Sequence, residues 1–346
     1  TKSNNVSRSA TGDRSRFEII DFLKGYAIFT IMAFHFLAFA DFPAPWNLMI
    51  WFGGTGIHLF ILLSGFGLYY SYLKRPLTWW PFIRKRAVKI YIPYILVVLI
   101  SALIAVFVPV YVNSWYALGG HILLYKMFDE QIVGSYGFQF WFLSMIIQLY
   151  LLFPFLARLK QRVREAPFVL TALIVSLSWS LLVIILGKEY QRVWNSFFLQ
   201  YLWEFALGMA LAERIAGKTM KALPEMKNIC YLALGIVNCL IYAFLSIKGG
   251  QTGKMFNDVF ALAGYGFLAV WFFKLGWKPI NQLFLFIGKM SLSVFLWHML
   301  IINLIAILLP GQNKWIVIPL AFGLSLATAY FYQLFIDMLF RRLRTE

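Results

Sequence analysis

The chain has 346 residues, of which 61% are hydrophobic, 19% aromatic and only 13% charged. A soluble domain carries about a quarter charged residues, so a water-soluble globular protein is excluded. The net charge is +17, from 31 Lys and Arg against 14 Asp and Glu; the basic residues are spread over segments between apolar runs, which points to membrane topology and away from nucleic acid.

In chain order, residues 1–16 (TKSNNVSRSATGDRSR) are polar and read as a disordered cytoplasmic tail. Residues 17–346 read as one membrane domain. Runs of spanning length predict an all-α polytopic bundle of about ten transmembrane helices, at 20–40, 56–73, 90–110, 139–157, 167–187, 197–213, 229–247, 257–273, 284–308 and 315–339. Between the third and fourth spans, residues 111–138 include SWYALGGHILLYKMF, too short and too polar to cross, and read as interfacial or re-entrant. With the N-terminus in the cytoplasm, 25 of the 31 Lys and Arg fall on the cytoplasmic side and six on the other. That asymmetry places both termini in the cytoplasm. Cys230 and Cys239 share one apolar run. They stand about 13.5 Å apart on opposite faces of a helix and cannot pair.

The first span carries chemistry. Lys24 and His35 are eleven positions apart in LKGYAIFTIMAFH. Eleven helical steps end ~20° past three full turns, so the two side chains share a face, about 16.5 Å apart along the axis. An ionisable group at the depth of His35 costs a few kcal/mol unless it faces a polar interior. That face is therefore expected to line a cavity open from the cytoplasm. Taken singly, His35 reads also as a structural histidine bonded to a neighbouring helix, and Lys24 as an interfacial lysine. Taken together, a deep proton acceptor and a cation three turns away suit a long substrate with phosphate at one end and a reactive atom at the other. An acyl-coenzyme A has that shape.

The segment KRPLTWWPFIRKRAVKIY reads as a basic loop, with Arg84, Lys85, Arg86 and Lys89 beside two tryptophans. It serves either topology or phosphate binding. Arg86 and Lys89, three apart, are expected to share a face, flanked by Arg84 and Lys85. His298 lies inside the ninth span, His58 near the outer end of the second, and His121 in the unassigned stretch. Trp297 reads as packing, and Ser64 with Gly65 as a close helix contact. No metal signature appears: the four histidines show no i, i+4 pair, and there is no cysteine cluster.

These residues fall into an ordered set. FEIIDFLKGYAIFTIMAFH resembles the first helix of acyltransferase family 3, the integral-membrane O-acyltransferases, with Asp21, Lys24, Gly25 and His35 at matching positions. GGTGIHLFILLSGF, FIRKRAVKIYIPY, FWFLSMIIQLYLLFPFL, YLWEFALGMALA and GKMSLSVFLWHMLII resemble later motifs of that family in the same order. The resemblance covers essentially the whole chain. It departs at Lys24 (usually Arg), at His58 (commonly Asp) and at Ile146 and Ile147, where acidic residues are frequent. Lysine binds phosphate without the bidentate fork, so anchoring there is expected to be looser or shared. A carboxylate for the reaction centre has to come from elsewhere, and Glu204 is the candidate.

The resemblance implies transfer of an acetyl or other short acyl group from acetyl-CoA, or a related acyl-CoA, to a hydroxyl of a carbohydrate or glycan. It implies His35 as the central catalytic group, acting as general base or as an acyl carrier, with Glu204 and His298 as further catalytic candidates. It implies phosphate binding by Lys24, Arg84, Arg86 and Lys89; the absence of a metal signature adds the expectation of no metal. The expected setting is the bacterial inner (cytoplasmic) membrane. Some members carry an extra extracytoplasmic hydrolase-like domain; any such partner here is expected to be a separate protein. The competing readings are a transporter or flippase that moves a glycan, lipid or small acid without making bonds, and an inactive membrane subunit. Intramembrane Lys and His mark transport paths too, but no paired broken helices of an inverted repeat are visible.

Overall fold

The computed structural model describes residues 3–38, 42–43, 46–217 and 225–345. Helix α1 (Ser3–Ala38) runs back through the polar tail that composition alone reads as disordered; its apolar part is Glu18–Ala38. A short α2 (Trp46–Phe52) leads into α3 (Gly56–Lys74). Then follow α4 (Trp79–Arg86), α5 (Ile92–Phe107), α6 (Trp115–Ile122), α7 (Phe140–Arg162) and α8 (Glu165–Ile185). The rest is α9 (Arg192–Asn195), α10 (Leu202–Ala216), α11 (Asn228–Lys254), α12 (Asp258–Lys274), α13 (Lys278–Lys289), α14 (Ser291–Leu308) and α15 (Lys314–Thr345). No strand occurs among the described residues. The architecture is an all-α polytopic bundle.

Eight helical segments among the described residues are long and apolar enough to cross a membrane. The other two predicted spans form shorter helices, α10 with 15 residues and α12 with 17. A bilayer core asks for about 20 residues in a straight helix. A 3₁₀ turn, Phe198–Tyr201, lengthens α10, and both short helices pack against longer ones.

Two predicted boundaries need correction. The basic segment is not a loop from Trp79 onward. α4 and α5 are joined by a π-helical turn, Ala87–Tyr91, into one helix from Trp79 to Phe107. A π turn inserts an extra residue and changes the angular spacing of the side chains around it, so the regular helical spacing from which Arg86 and Lys89 were expected to share a face does not hold there. The predicted ninth span, 284–308, is two helices, α13 and α14, broken at Met290. The break lets α13 lie close along α1. A Cβ on Gly25 would come within 1.8 Å of the Phe284 carbonyl oxygen, and one on Gly288 within 1.8 Å of that of Asp21. Only glycine permits this mutual approach, which sets the height of α1, and of its Lys24 and His35, against α14. A second glycine pair brings α3 and α10 equally close: a Cβ on Gly65 would meet the Phe205 oxygen at 2.1 Å, and one on Gly208 the Leu62 oxygen at 2.0 Å.

Residues 111–138 form a cap beside the ends of α5 and α7, made of α6 and a 3₁₀ turn, Tyr125–Phe128. Two buried polar groups pin it. His121 is an uncharged link: Ser135 Oγ donates to the Ile132 carbonyl, so His121 Nε2 donates to Ser135 (2.8 Å) and Nδ1 accepts from the Tyr94 hydroxyl (2.5 Å). Burial pushes its imidazole down to about 2. Lys126, only 1% exposed, donates from Nζ to the carbonyls of Val133 (2.9 Å) and Phe140 (3.1 Å). Burial pushes this ammonium down to about 7.

Lys126 therefore makes stability depend on pH. An unfolded lysine titrates near 10.4. Between about 7 and 10.4 the unfolded chain holds the extra proton, so raising pH through that window stabilises the fold. From pH 7 to 9 the gain is at most about 2–3 kcal/mol. The melting temperature in detergent should climb over that range in the native chain, and the climb should disappear in Lys126→Met.

Candidate active site

His35 lies in the last turn of α1, and His298 two turns into α14. The structure brings them together: His298 Nε2 and His35 Nδ1 are 3.0 Å apart. Their tautomers follow from the remaining partners. His298 Nδ1 faces the carbonyl oxygens of Phe295 (2.9 Å) and Val294 (3.1 Å). Carbonyls only accept, so Nδ1 carries the proton and, in the neutral ring, Nε2 accepts. His35 Nδ1 must then donate to it, which leaves the lone pair of neutral His35 on Nε2. His298 is fully buried, whereas His35 is half-buried. His35 is thus the more accessible member of the pair, and His298 the one held by carbonyls of its own helix. Base and orienter within hydrogen-bond reach is the pattern of nucleophilic and general-base sites.

The surroundings are apolar. Phe295, one turn before His298, packs against Phe142 (ring centroids 5.4 Å), and Phe142 against Phe60 (6.4 Å). Ile146 is buried and Ile147 packs on the same core, so no carboxylate comes from that part of α7. Trp297 turns the other way, onto Tyr332 of α15 (5.5 Å), as expected for packing.

Because α1 is unbroken from Glu18 to Ala38, Lys24 does share a face with His35. Lys24 Nζ pairs with Asp21 at 3.6 Å, and both side chains are about one-third exposed. Of the basic segment, Arg84 and Lys85 are exposed. Arg86 is half-buried, its guanidinium lies 5.6 Å from the Phe82 ring centroid, and its buried Nε has no hydrogen-bond partner. Lys89 lines a cleft between α5, α14 and α15.

Glu204 and His58 form a separate centre. Glu204, expected from sequence to bring a carboxylate to the reaction centre, has His58 as its partner instead: His58 Nδ1 and Glu204 Oε1 share a hydrogen bond at 2.7 Å. On its other side, His58 Nε2 is 3.8 Å from Asp258 Oδ1. Gln200 Nε2 donates to Asp258 Oδ2 (2.7 Å) and accepts from Ser180 through its Oε1 (2.8 Å). Glu204 is wholly buried and its Oε2 has no partner. None of these partners belongs to the His35–His298 pair. Sequence reasoning missed Asp258 and Gln200; the acidic residue opening an apolar run, NDVFALAG, was the available signal.

A second cavity, about 610 Å³, borders α1 through Tyr26, Thr30, Ala33, Phe34 and Leu37. On a helical wheel these residues centre roughly opposite Lys24 and His35. Lys24 and His35 line neither this cavity nor the Lys89 cleft. Among the described residues, no three His, Cys, Asp or Glu side chains are placed to hold a metal ion.

The chain is thus a multi-spanning helical bundle that sets a histidine pair in an apolar surround, with a lysine three turns away on the face of His35. The family model described as Acyltransferase domain matches residues 17–334, nearly the whole chain, and the protein belongs to acyltransferase family 3. No curated protein and no solved structure matches it significantly.

Proposed function

We propose that the protein transfers an acetyl or other short acyl group from acyl-coenzyme A to a carbohydrate hydroxyl, with His35 as general base. The observation that carries this is the 3.0 Å contact that leaves His35 with its free lone pair on Nε2. In the proposed reaction His35 Nε2 takes the proton of the acceptor hydroxyl as its oxygen attacks the thioester carbonyl. The C–O bond forms, the tetrahedral intermediate collapses, the C–S bond breaks, and the leaving thiolate takes the proton from His35. The products are the O-acyl ester and free thiol, and the proton count closes. His298, held by the Phe295 carbonyl, fixes the ring orientation throughout, and its Nε2 accepts the hydrogen bond from Nδ1–H of the His35 imidazolium.

The donor enters from the side where α1 begins, which the distribution of Lys and Arg makes cytoplasmic. Lys24 anchors its phosphates at a distance of three turns from His35. Arg86, whose Nε is buried and unpaired, is the inward-facing member of the basic segment and the strongest candidate for a second anchor. Exposed Arg84 contributes through its field alone. Glu204, through His58, supports the bundle on which the pair is mounted.

The test is acyl transfer by purified protein, with thiol release followed in the presence and absence of a glycan acceptor. A transporter would release no thiol. On the donor side, Lys24→Ala should weaken coenzyme A binding by about tenfold, and Lys24→Arg should preserve or tighten it through its bidentate fork. Calorimetry on the purified chain reads both, and unchanged affinity in Lys24→Ala returns the lysine to a topological role.

A further inference from the structure

The cavity of about 610 Å³ beside α1 has no part in the reaction above. Its wall draws on one face of α1, on Ile50 and Phe52 of α2, on Tyr265 of α12 and on Trp315 at the start of α15. That wall has few polar groups to offer. Thr30 Oγ1 donates to the Ala27 carbonyl (3.1 Å), so the Tyr265 hydroxyl donates to Thr30 Oγ1, and the two groups satisfy each other. Among the described residues the only other side-chain hydroxyl in the wall is that of Tyr26. The rest is mainly aliphatic and aromatic. An apolar cavity stays dry, and a dry cavity of this size leaves its lining without dispersion partners. Inside a bilayer, the material at hand to fill it is hydrocarbon.

The dimensions fit one chain of a lipid. The α1 residues along the cavity run from Tyr26 to Leu37, eleven helical steps, or about 16.5 Å. Half of a hydrocarbon core of about 30 Å is about 15 Å, the reach of a chain within one leaflet. Tyr26 lies near the middle of the Glu18–Ala38 span, and Leu37 at the end away from Lys24. At that end Phe42, Trp46 and Trp315 form the rim. The two tryptophans are 58% and 64% exposed, and tryptophan gathers at the level of lipid headgroups. Lys314 Nζ lies 4.9 Å from the centroid of the Phe42 ring, so a cation stands beside the rim where a lipid phosphate would sit. The cavity meets the histidine pair only through α1. Phe34 lines it, and the Phe34 ring packs on that of His35 (centroids 4.8 Å). Whatever fills the cavity braces the turn of α1 that carries His35, from the opposite face.

We propose that this cavity seats one hydrocarbon chain of a phospholipid from the leaflet opposite the Lys24 end, and that the bound chain fixes the last turns of α1 and with them His35. The effect on turnover rests on the acyl-transfer reading above; the lipid seat does not.

The full chain is stripped of lipid in detergent, and a phosphatidylcholine with a photoactivatable diazirine near the end of one chain is added back. Crosslinks mapped by mass spectrometry should concentrate on Tyr26, Thr30 and Tyr265. With the diazirine near the carboxyl end of the chain they should move to Leu37, Trp46 and Trp315. The melting temperature should rise with lipid and saturate at about one lipid per chain. Ala33→Phe, which puts a ring into the cavity, should lose both the crosslinks and the saturable rise. Without lipid it should melt no lower than the native chain, because it fills the void. Leu240→Phe, on the exposed face of α11, should behave as the native chain. With acyl-CoA and a glycan acceptor, turnover of the native chain should rise as lipid is added, and that of Ala33→Phe should be the same with and without it. Crosslinks spread evenly over the lipid-facing helices of the native chain overturn the seat, whether or not Ala33→Phe folds, and so do crosslinks that persist in a folded Ala33→Phe. Displacement of the phospholipid by an equal amount of a polyprenyl lipid overturns the phospholipid assignment. Native turnover indifferent to lipid overturns the link to His35. A saturable seat with no thiol release under any condition supports the lipid site, while the acyl-transfer reading fails and the link to turnover with it.

Discussion

His35→Ala should reduce acyl transfer by about 10²–10⁴-fold, the usual contribution of a positioned general base, while coenzyme A affinity and melting temperature stay near native values. The substitution removes the half-buried member of the pair and leaves His298 still bonded to Phe295 and Val294. His298→Ala should also lower turnover, but less, because it removes the orienter and leaves the base. Its signature is a fall in kcat at constant KM for the donor. Near-native turnover in His35→Ala would sink the catalytic assignment. A single-turnover experiment without acceptor distinguishes the two roles open to His35. A general base gives no thiol release until acceptor is added, whereas an acyl-histidine carrier gives one equivalent.

The second large effect concerns stability. His58→Ala should destabilise the bundle by about 3–5 kcal/mol, because it leaves Glu204 buried with neither oxygen paired and Asp258 without its neighbour. Glu204→Gln should cost far less: it keeps the side-chain shape and a group that can hydrogen-bond to His58. Thermal unfolding in detergent reads both. The same pair of variants tests whether Glu204 also serves the chemistry. A Glu204→Gln protein that melts normally but fails to turn over would give Glu204 a catalytic part, and normal turnover would confine it to holding α3, α10 and α12 together.

Much of the fold is legible from composition and run length. Apolar segments of spanning length have one solution in a bilayer, a helix that satisfies its own backbone, so the all-α bundle and most span positions follow directly. The face shared by Lys24 and His35 is equally local, since helical periodicity fixes it without knowledge of any neighbour. Legibility stops where neighbours decide. The break at Met290 is invisible in hydropathy, because the apolar run continues through it; it stands where Gly288 brings α13 into close backbone contact with α1. The π turn at Ala87–Tyr91 likewise has no mark in a segment whose composition suggests a charged loop.

The same division runs through the site. Residues 24 and 35 are determined by the sequence as a pair, because eleven positions on one continuous helix leave no freedom. That His35 meets His298, 263 positions away, is a tertiary fact, and so is the partnering of Glu204 with His58 and Asp258 rather than with the histidine pair. Sequence marks each of these as an ionisable group that needs a polar partner inside the membrane. Which partner it finds depends on the rotation and height of packed helices, and close contacts such as Gly25–Gly288 and Gly65–Gly208 set those by letting backbones touch. Periodicity acts within one helix and is written in the sequence; register between helices arises only when their surfaces meet.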